Sequence, residues 1–142
     1  MGNEGMALQV GVKIAIIRSG KVLLLKRARG KYTEIKTDRW DIVGGRIEPG
    51  KPLIENLKRE IFEETKMQLV GEPKLLEAQD ILKSVDKHVV RLTYIGEATG
   101  EPVLDEDHEE YKWCSFKELL ALGEDLDVFF RELISKGIIH LE

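Results

Sequence analysis

Residues 44–67 read GGRIEPGKPLIENLKREIFEETKM, and this stretch decides how the rest of the chain is understood. Gly44-Gly45, then Gly50 and Pro52, lead into a segment that carries Arg59-Glu60 and Glu63-Glu64. Pro52 suits the first position of a helix, where its missing N–H costs nothing, so a helix is predicted over 52–66. Leu53, Ile54, Leu57 and Ile61 form an apolar arc of roughly 100° at helical spacing. Glu60, Glu63 and Glu64 stand at i, i+3 and i+4, so their carboxylates leave one face of the helix. That face adjoins the apolar arc, and Glu64 falls within its angular range. Like charges so placed repel, and partial loss of solvent disfavours their charged forms unless a cation compensates.

A divalent cation would turn that repulsion into attraction. Hard oxygen ligands suit Mg²⁺ or Mn²⁺, and magnesium is commonly held by a few carboxylates together with substrate phosphates. The preceding loop supplies a complementary half. Its three glycines (Gly44, Gly45, Gly50) let the backbone approach a ligand closely, and a helix N-terminus favours anions.

Around this centre the chain alternates strands and helices. Val10, Val12, Ile14 and Ile16 alternate with Gln9, Gly11, Lys13 and Ala15, the period of a strand. Ser19-Gly20 signals a turn, and Val22 to Leu25 reads as the returning strand of a hairpin. Residues 26–39 form a polar connection in which Lys26, Arg27, Arg29, Lys31, Lys36 and Arg39 outnumber Glu34 and Asp38. Trp40 to Val43 is a short strand ending at Gly44-Gly45. Residues 74–83 and 88–97 are predicted strands joined through 84–87, with a further short strand at 111–114. Leu126, Phe129, Phe130, Leu133 and Ile134 make the apolar stripe of a C-terminal helix. Strands surrounding one helix, with another following late, give a mixed α/β domain with helices on both faces of a sheet.

Composition excludes several function classes. The 142 residues, 42% hydrophobic and 34% charged, suit a single domain over residues 1–142 with a sizeable core. A formal charge of −4 argues against binding a nucleic-acid polymer, which favours a basic surface. One cysteine, Cys114, rules out an internal disulfide framework and fits a reducing, cytoplasmic setting. No apolar run approaches the roughly 20 residues of a membrane span, and the N-terminal stretch makes a poor signal peptide.

Residues 45–67 resemble the Nudix box, G-x5-E-x7-R-E-U-x-E-E-x-G-U, where U is a bulky aliphatic residue. Gly45 opens it, Arg59-Glu60 supplies the R-E, Ile61 the first U, Glu63-Glu64 the E-E and Met67 the last U. The hairpin before the box, Trp40-Asp41-Ile42-Val43-Gly44 leading in, and Glu110-Tyr111-Lys112-Trp113 with Glu118-Leu119 extend the resemblance over most of the chain. It implies a Nudix-type α/β/α sandwich with a mixed sheet between helices. It further implies a pyrophosphohydrolase that cleaves a nucleoside diphosphate linked to another group, using Mg²⁺ with Mn²⁺ as substitute. Glu60, Glu63, Glu64 and the Gly45 carbonyl would hold metal, and Glu60 is the first choice for deprotonating the attacking water. Arg59 is expected away from the carboxylate arc, orienting a loop or helix acid such as Glu48. Arg27, Gly44 and Gly45 would contact substrate. A later acid from Asp105-Glu106-Asp107 or Glu109-Glu110 would join the site.

Lys51 stands where the box has its first Glu, and Lys66 where it has Gly. Lys51 brings a positive charge towards the site and is read as tuning; Lys66 concerns how the helix ends. No residue downstream of the box marks a particular substrate, which leans towards a nucleoside triphosphate or modified nucleotide. The alternatives are an ADP-ribose or nucleotide-sugar pyrophosphatase, and a nucleotide-binding sensor or interaction module with weakened catalysis. Relatives of this kind are often dimers, so a homodimer is possible. Trp40, Trp113 and Cys114 read as packing residues, and His88, His108 and His140 lack metal-ligand spacing.

Overall fold

Ser19 and Gly20, with φ of +52° and +73°, make the tight turn joining strand β1 (Ala7–Arg18) to β2 (Lys21–Arg27). Two successive positive φ values match the twist of a two-residue hairpin. The structure, a computed structural model, describes residues 5–29 and 37–141. Lys31, Glu34 and Lys36 of the basic connection lie outside the described residues. The remaining elements are β3 (Trp40–Asp41), β4 (Val43–Arg46), α1 (Leu53–Thr65), β5 (Gln68–Ile81), β6 (Lys87–Thr99), β7 (His108–Cys114), α2 (Phe116–Leu122), a 3₁₀ turn (Gly123–Asp125) and α3 (Val128–Ser135).

The sheet is mixed. Its strands run β3-β2-β1-β6-β5, with β4 on β1 and β7 on β2. β1 and β6 pair in parallel from Ala7↔Lys87 to Ile16↔Gly96, and the other pairings are antiparallel. Alternation along β1 and β2 builds two cores. Val12, Ile14, Ile16, Leu23 and Leu25 pack with Leu57, Ile61 and Met67 under α1. Ala15, Val22 and Leu24 pack with Trp40, Ile42, Leu119, Phe130 and Leu133 under α2 and α3. Helices therefore cover both faces, and the architecture is the α/β/α sandwich expected. Among the described residues, no helix is long and apolar enough to cross a membrane.

Several elements differ from the sequence reading. The strand expected over 40–43 is two strands, and β4 carries on through the glycine pair, registering Gly44 with Lys13 and Gly45 with Val12. The strand expected from residue 74 begins at Gln68, bent by irregular register near Gly71, whose φ is +69°. Pro52 is the residue before α1, not its first member. α2 was not foreseen, although Ser115 and Glu118 form a reciprocal capping box that is legible as S-x-x-E. Lys66 ends α1 with φ 61° and ψ 8°, the left-handed geometry a glycine would adopt, and its N–H donates to the Phe62 carbonyl. The substitution leaves the helix end intact at a cost of about 1 kcal/mol.

Candidate active site

No side chain caps the start of α1. The loop before it is organised by Asn56, which is fully buried. Asn56 accepts the Glu48 N–H at 2.7 Å and donates to the Lys51 and Pro52 carbonyls, each at 3.0 Å. The charge pattern gave no hint of this residue; its only signal was an amide one turn ahead of Glu60.

Two of the three helix acids meet the glycine turn directly. Gly44 donates its N–H to Glu64 Oε1 at 3.0 Å. A Cβ on Gly45 would lie 2.5 Å from Glu60 Oε2, so only glycine lets this carboxylate lie against the strand. Gly44 is constrained as well: its φ is +139°, and a Cβ there would meet the Val12 carbonyl oxygen at 2.0 Å. Glu63 is more exposed than its neighbours and reaches Arg59.

Arg59 does not lie away from the carboxylates, contrary to expectation. Its Nη1 is 2.8 Å from Glu60 Oε1 and 3.2 Å from Glu63 Oε2, while Nε is 3.5 Å from Glu48 Oε1. Nη2 donates to the Arg46 carbonyl at 3.0 Å and to Asn56 Oδ1 at 3.1 Å. Glu63 stands at i+4 from Arg59, so the two are neighbours on the helix, and the long guanidinium also reaches Glu60. Lys51 pairs with Glu48 Oε2 at 3.1 Å. Glu48 thus bridges Lys51 and Arg59, and among the described residues Lys51 pairs with Glu48 and not with Glu60, Glu63 or Glu64.

Arg27 is turned inward. Its Nη2 is 3.6 Å from Asp41 Oδ2, and Nη1 donates to the Asp38 carbonyl. Asp41 is the hub of a buried ion network that sequence reading missed. Arg91 Nη2 and Nη1 reach its two oxygens at 3.0 and 3.3 Å, and Lys13 Nζ lies 3.1 Å from Oδ2. Burial alone would raise the Asp41 pKa, but Arg91, Lys13 and Arg27 hold it well below the usual carboxylate range. Arg91 also meets Asp127 at 3.2 Å, and Asp127 caps α3 through the Phe129 and Phe130 amides. Lys13 and Asp41 carried one faint signal, a charge inside an otherwise apolar strand.

Among the later acids, Asp105 is the one whose charge acts on Glu64. Its Oδ1 lies 2.7 Å from His108 Nδ1. Glu109 is engaged elsewhere, with Arg39 Nη2 at 2.7 Å and the Arg29 amide at 2.7 Å. Burial pushes the Glu64 carboxyl up to about 8. Lys13 and the Gly44 N–H pull it down, while Glu60 and Asp105 add repulsion. Trp40 is buried in the core, and Trp113 is covered by Arg18 at 4.7 Å. Cys114 is buried, and desolvation pushes its thiol up to about 11, so it is a packing residue and not a nucleophile.

Among the described residues, no set of three or more His, Cys, Asp or Glu side chains stands in metal-holding geometry. Arg59 holds Glu60 and Glu63, and Glu64 lies on Gly44. The donors nevertheless fit a hard divalent cation. They are all oxygens, Gly45 lets the Glu60 carboxylate lie against the turn, and Glu64 is a largely desolvated acid repelled by two others.

The NUDIX domain family model matches residues 7–134. The chain belongs to the Nudix family. Similar solved structures include a MutT NUDIX hydrolase from Burkholderia pseudomallei, 28% identical, with a TM-score of 0.65 over 83% of this chain and 98% of that one. A MutT protein from Methanosarcina mazei Go1 is 26% identical, with a TM-score of 0.76 over 92% of this chain and 93% of that one. A search of curated proteins found no match. As a Nudix member with hydrolase neighbours, the protein is a pyrophosphohydrolase. Nudix hydrolases act on small nucleotide substrates and generally use divalent metals.

Proposed function

We propose that this Nudix protein hydrolyses the diphosphate linkage of a nucleoside triphosphate or modified nucleotide, with Mg²⁺ as its metal and Mn²⁺ as a substitute. The observation that carries the reading is the seating of Glu60 and Glu64 against Gly45 and Gly44. It joins the acidic helix face to a backbone turn that can approach phosphate. Glu60, Glu63, Glu64 and the Gly45 carbonyl would hold the metal. Bound there, a divalent ion neutralises phosphate charge, polarises a phosphoryl oxygen and lowers the pKa of bound water.

The chain's own residues set the geometry for that chemistry. Glu60, which lies against Gly45, would take a proton from the attacking water. Arg59 sits between the charges of Glu60 and Glu63, and its further contacts to Glu48, Asn56 and the Arg46 carbonyl would hold it in place if those two acids turned to a metal. Asp105 adds a further negative charge beside Glu64. Arg27 is engaged with Asp41 and the Asp38 carbonyl, so its part in substrate binding would come through that network.

Incubation with a broad nucleotide panel and Mg²⁺ or Mn²⁺, reading released phosphate and pyrophosphate, tests the proposal. Turnover of at least one nucleotide that stops on metal chelation is expected. Calorimetry detecting neither metal nor nucleotide binding would overturn it.

A further inference from the structure

Lys13 lies on the opposite face of β1 from Val12 and Ile14, facing the α3 side of the sheet, and its ammonium is bound on three sides. Nζ donates to the Gly44 carbonyl at 3.0 Å and to the Ile42 carbonyl at 3.2 Å, and it lies 3.1 Å from Asp41 Oδ2. A lysine ammonium has three donors. All three have protein acceptors, so Lys13 has none left for a phosphate.

The placement of the two carbonyls gives these contacts a purpose. Peptide groups are planar, so holding the Ile42 and Gly44 oxygens fixes the 42–43 and 44–45 planes. Between them lies the 43–44 plane, whose N–H donates to Glu64 Oε1. The next residue along is Gly45, where a Cβ would meet the Glu60 carboxylate. Gly44, at φ +139°, has the backbone freedom that would otherwise let this turn rotate. Lys13 itself is anchored, because Arg91 grips Asp41 through both oxygens in a buried pair. Charge-assisted hydrogen bonds of this kind are about twice as strong as neutral ones.

We propose that Lys13 is a positioning residue of the metal site, an ammonium clamp on the Ile42 and Gly44 carbonyls that aims the Gly44 amide at Glu64 and holds Gly45 against Glu60. The proposal rests on the metal-site reading above. Outer residues that orient metal ligands change metal affinity by about 10- to 100-fold when removed.

The test is Mn²⁺ affinity measured by electron paramagnetic resonance on wild type, Lys13→Met and Lys13→Arg, with thermal melts to confirm folding. Lys13→Met is expected to bind Mn²⁺ at least about tenfold more weakly and to lose kcat more than KM. Lys13→Arg, which retains charge and donors, is expected to recover most of the loss. A folded Lys13→Met with wild-type Mn²⁺ affinity overturns the clamp while leaving the metal site standing. Wild-type protein that binds no Mn²⁺ overturns the metal site and the clamp together. Should Lys13→Met not fold, wild-type protein labelled uniformly with ¹⁵N serves instead. During a Mg²⁺ titration the Lys13 Nζ signal is expected to shift with the Gly44 and Gly45 amides, and a Lys13 signal that stays fixed while those amides move overturns the proposal.

Discussion

The Gly44 N–H donates to Glu64 Oε1 at 3.0 Å across twenty residues of sequence. This one bond ties the end of the β3–β4 segment to the acidic face of α1. It gives a carboxylate that burial disfavours a fixed place beside the glycine turn. The bond engages Oε1, and in the proposed metal site Oε2 would meet the cation.

Glu64→Gln keeps the shape and an oxygen for the Gly44 amide but removes the charge. The fold is expected to survive, because the lost charge is one that burial opposes. Turnover in the nucleotide panel is expected to fall by about 10²-fold or more, with a melting temperature at or above that of wild type.

Metal-free protein is expected to lose stability as pH rises. Glu64 has a folded pKa of about 8 against an ordinary value of 4.5. Between those values the unfolded chain has released a proton that the folded chain keeps. The stabilisation is full below about 4.5 and is lost as pH rises through about 8. Melts in chelator across that window check this. The Glu64→Gln variant is expected to show a flatter profile, and Mg²⁺ is expected to raise the melting temperature more at pH 8 than at pH 5.

Gly45→Ala places a methyl 2.5 Å from Glu60 Oε2. Either the carboxylate or the strand must shift, at a cost of about 1–3 kcal/mol. Gly11→Ala is the control, since its Cβ would meet nothing closer than 3.6 Å. Urea unfolding is expected to separate the two, and Gly45→Ala alone is expected to weaken Mn²⁺ binding.

Lys51→Glu is expected to alter kcat/KM by less than about fivefold, because Lys51 pairs with exposed Glu48 and exposed pairs carry under about 1 kcal/mol. Steady-state kinetics on any accepted nucleotide decide this. A larger gain would mean that the lysine reaches the acids in the loaded enzyme.

Arg91→Met strands Asp41 and Asp127 in a buried setting with Lys13 and Arg27 as the remaining cations near Asp41. Removing one partner of such a group costs about 3–5 kcal/mol. The denaturation midpoint is expected to fall accordingly.

The sequence by itself determined the family, the sandwich and the helix that bears the acids. Those rest on local rules: the spacing of Glu60, Glu63 and Glu64 on one helix, period-two alternation in β1 and β2, and the left-handed turn at Ser19-Gly20. Tertiary structure alone decided what those residues touch. Arg59 also reaches the Arg46 carbonyl and Glu48, which the folded loop brings alongside the helix. Arg27 turns to Asp41 because a buried carboxylate outcompetes solvent for its charge. Lys13, Asp41 and Arg91 come from three different strands, and no spacing relates them. The parallel pairing of β1 with β6 and the short β3 bring them together, so their network became visible only when the chain had folded.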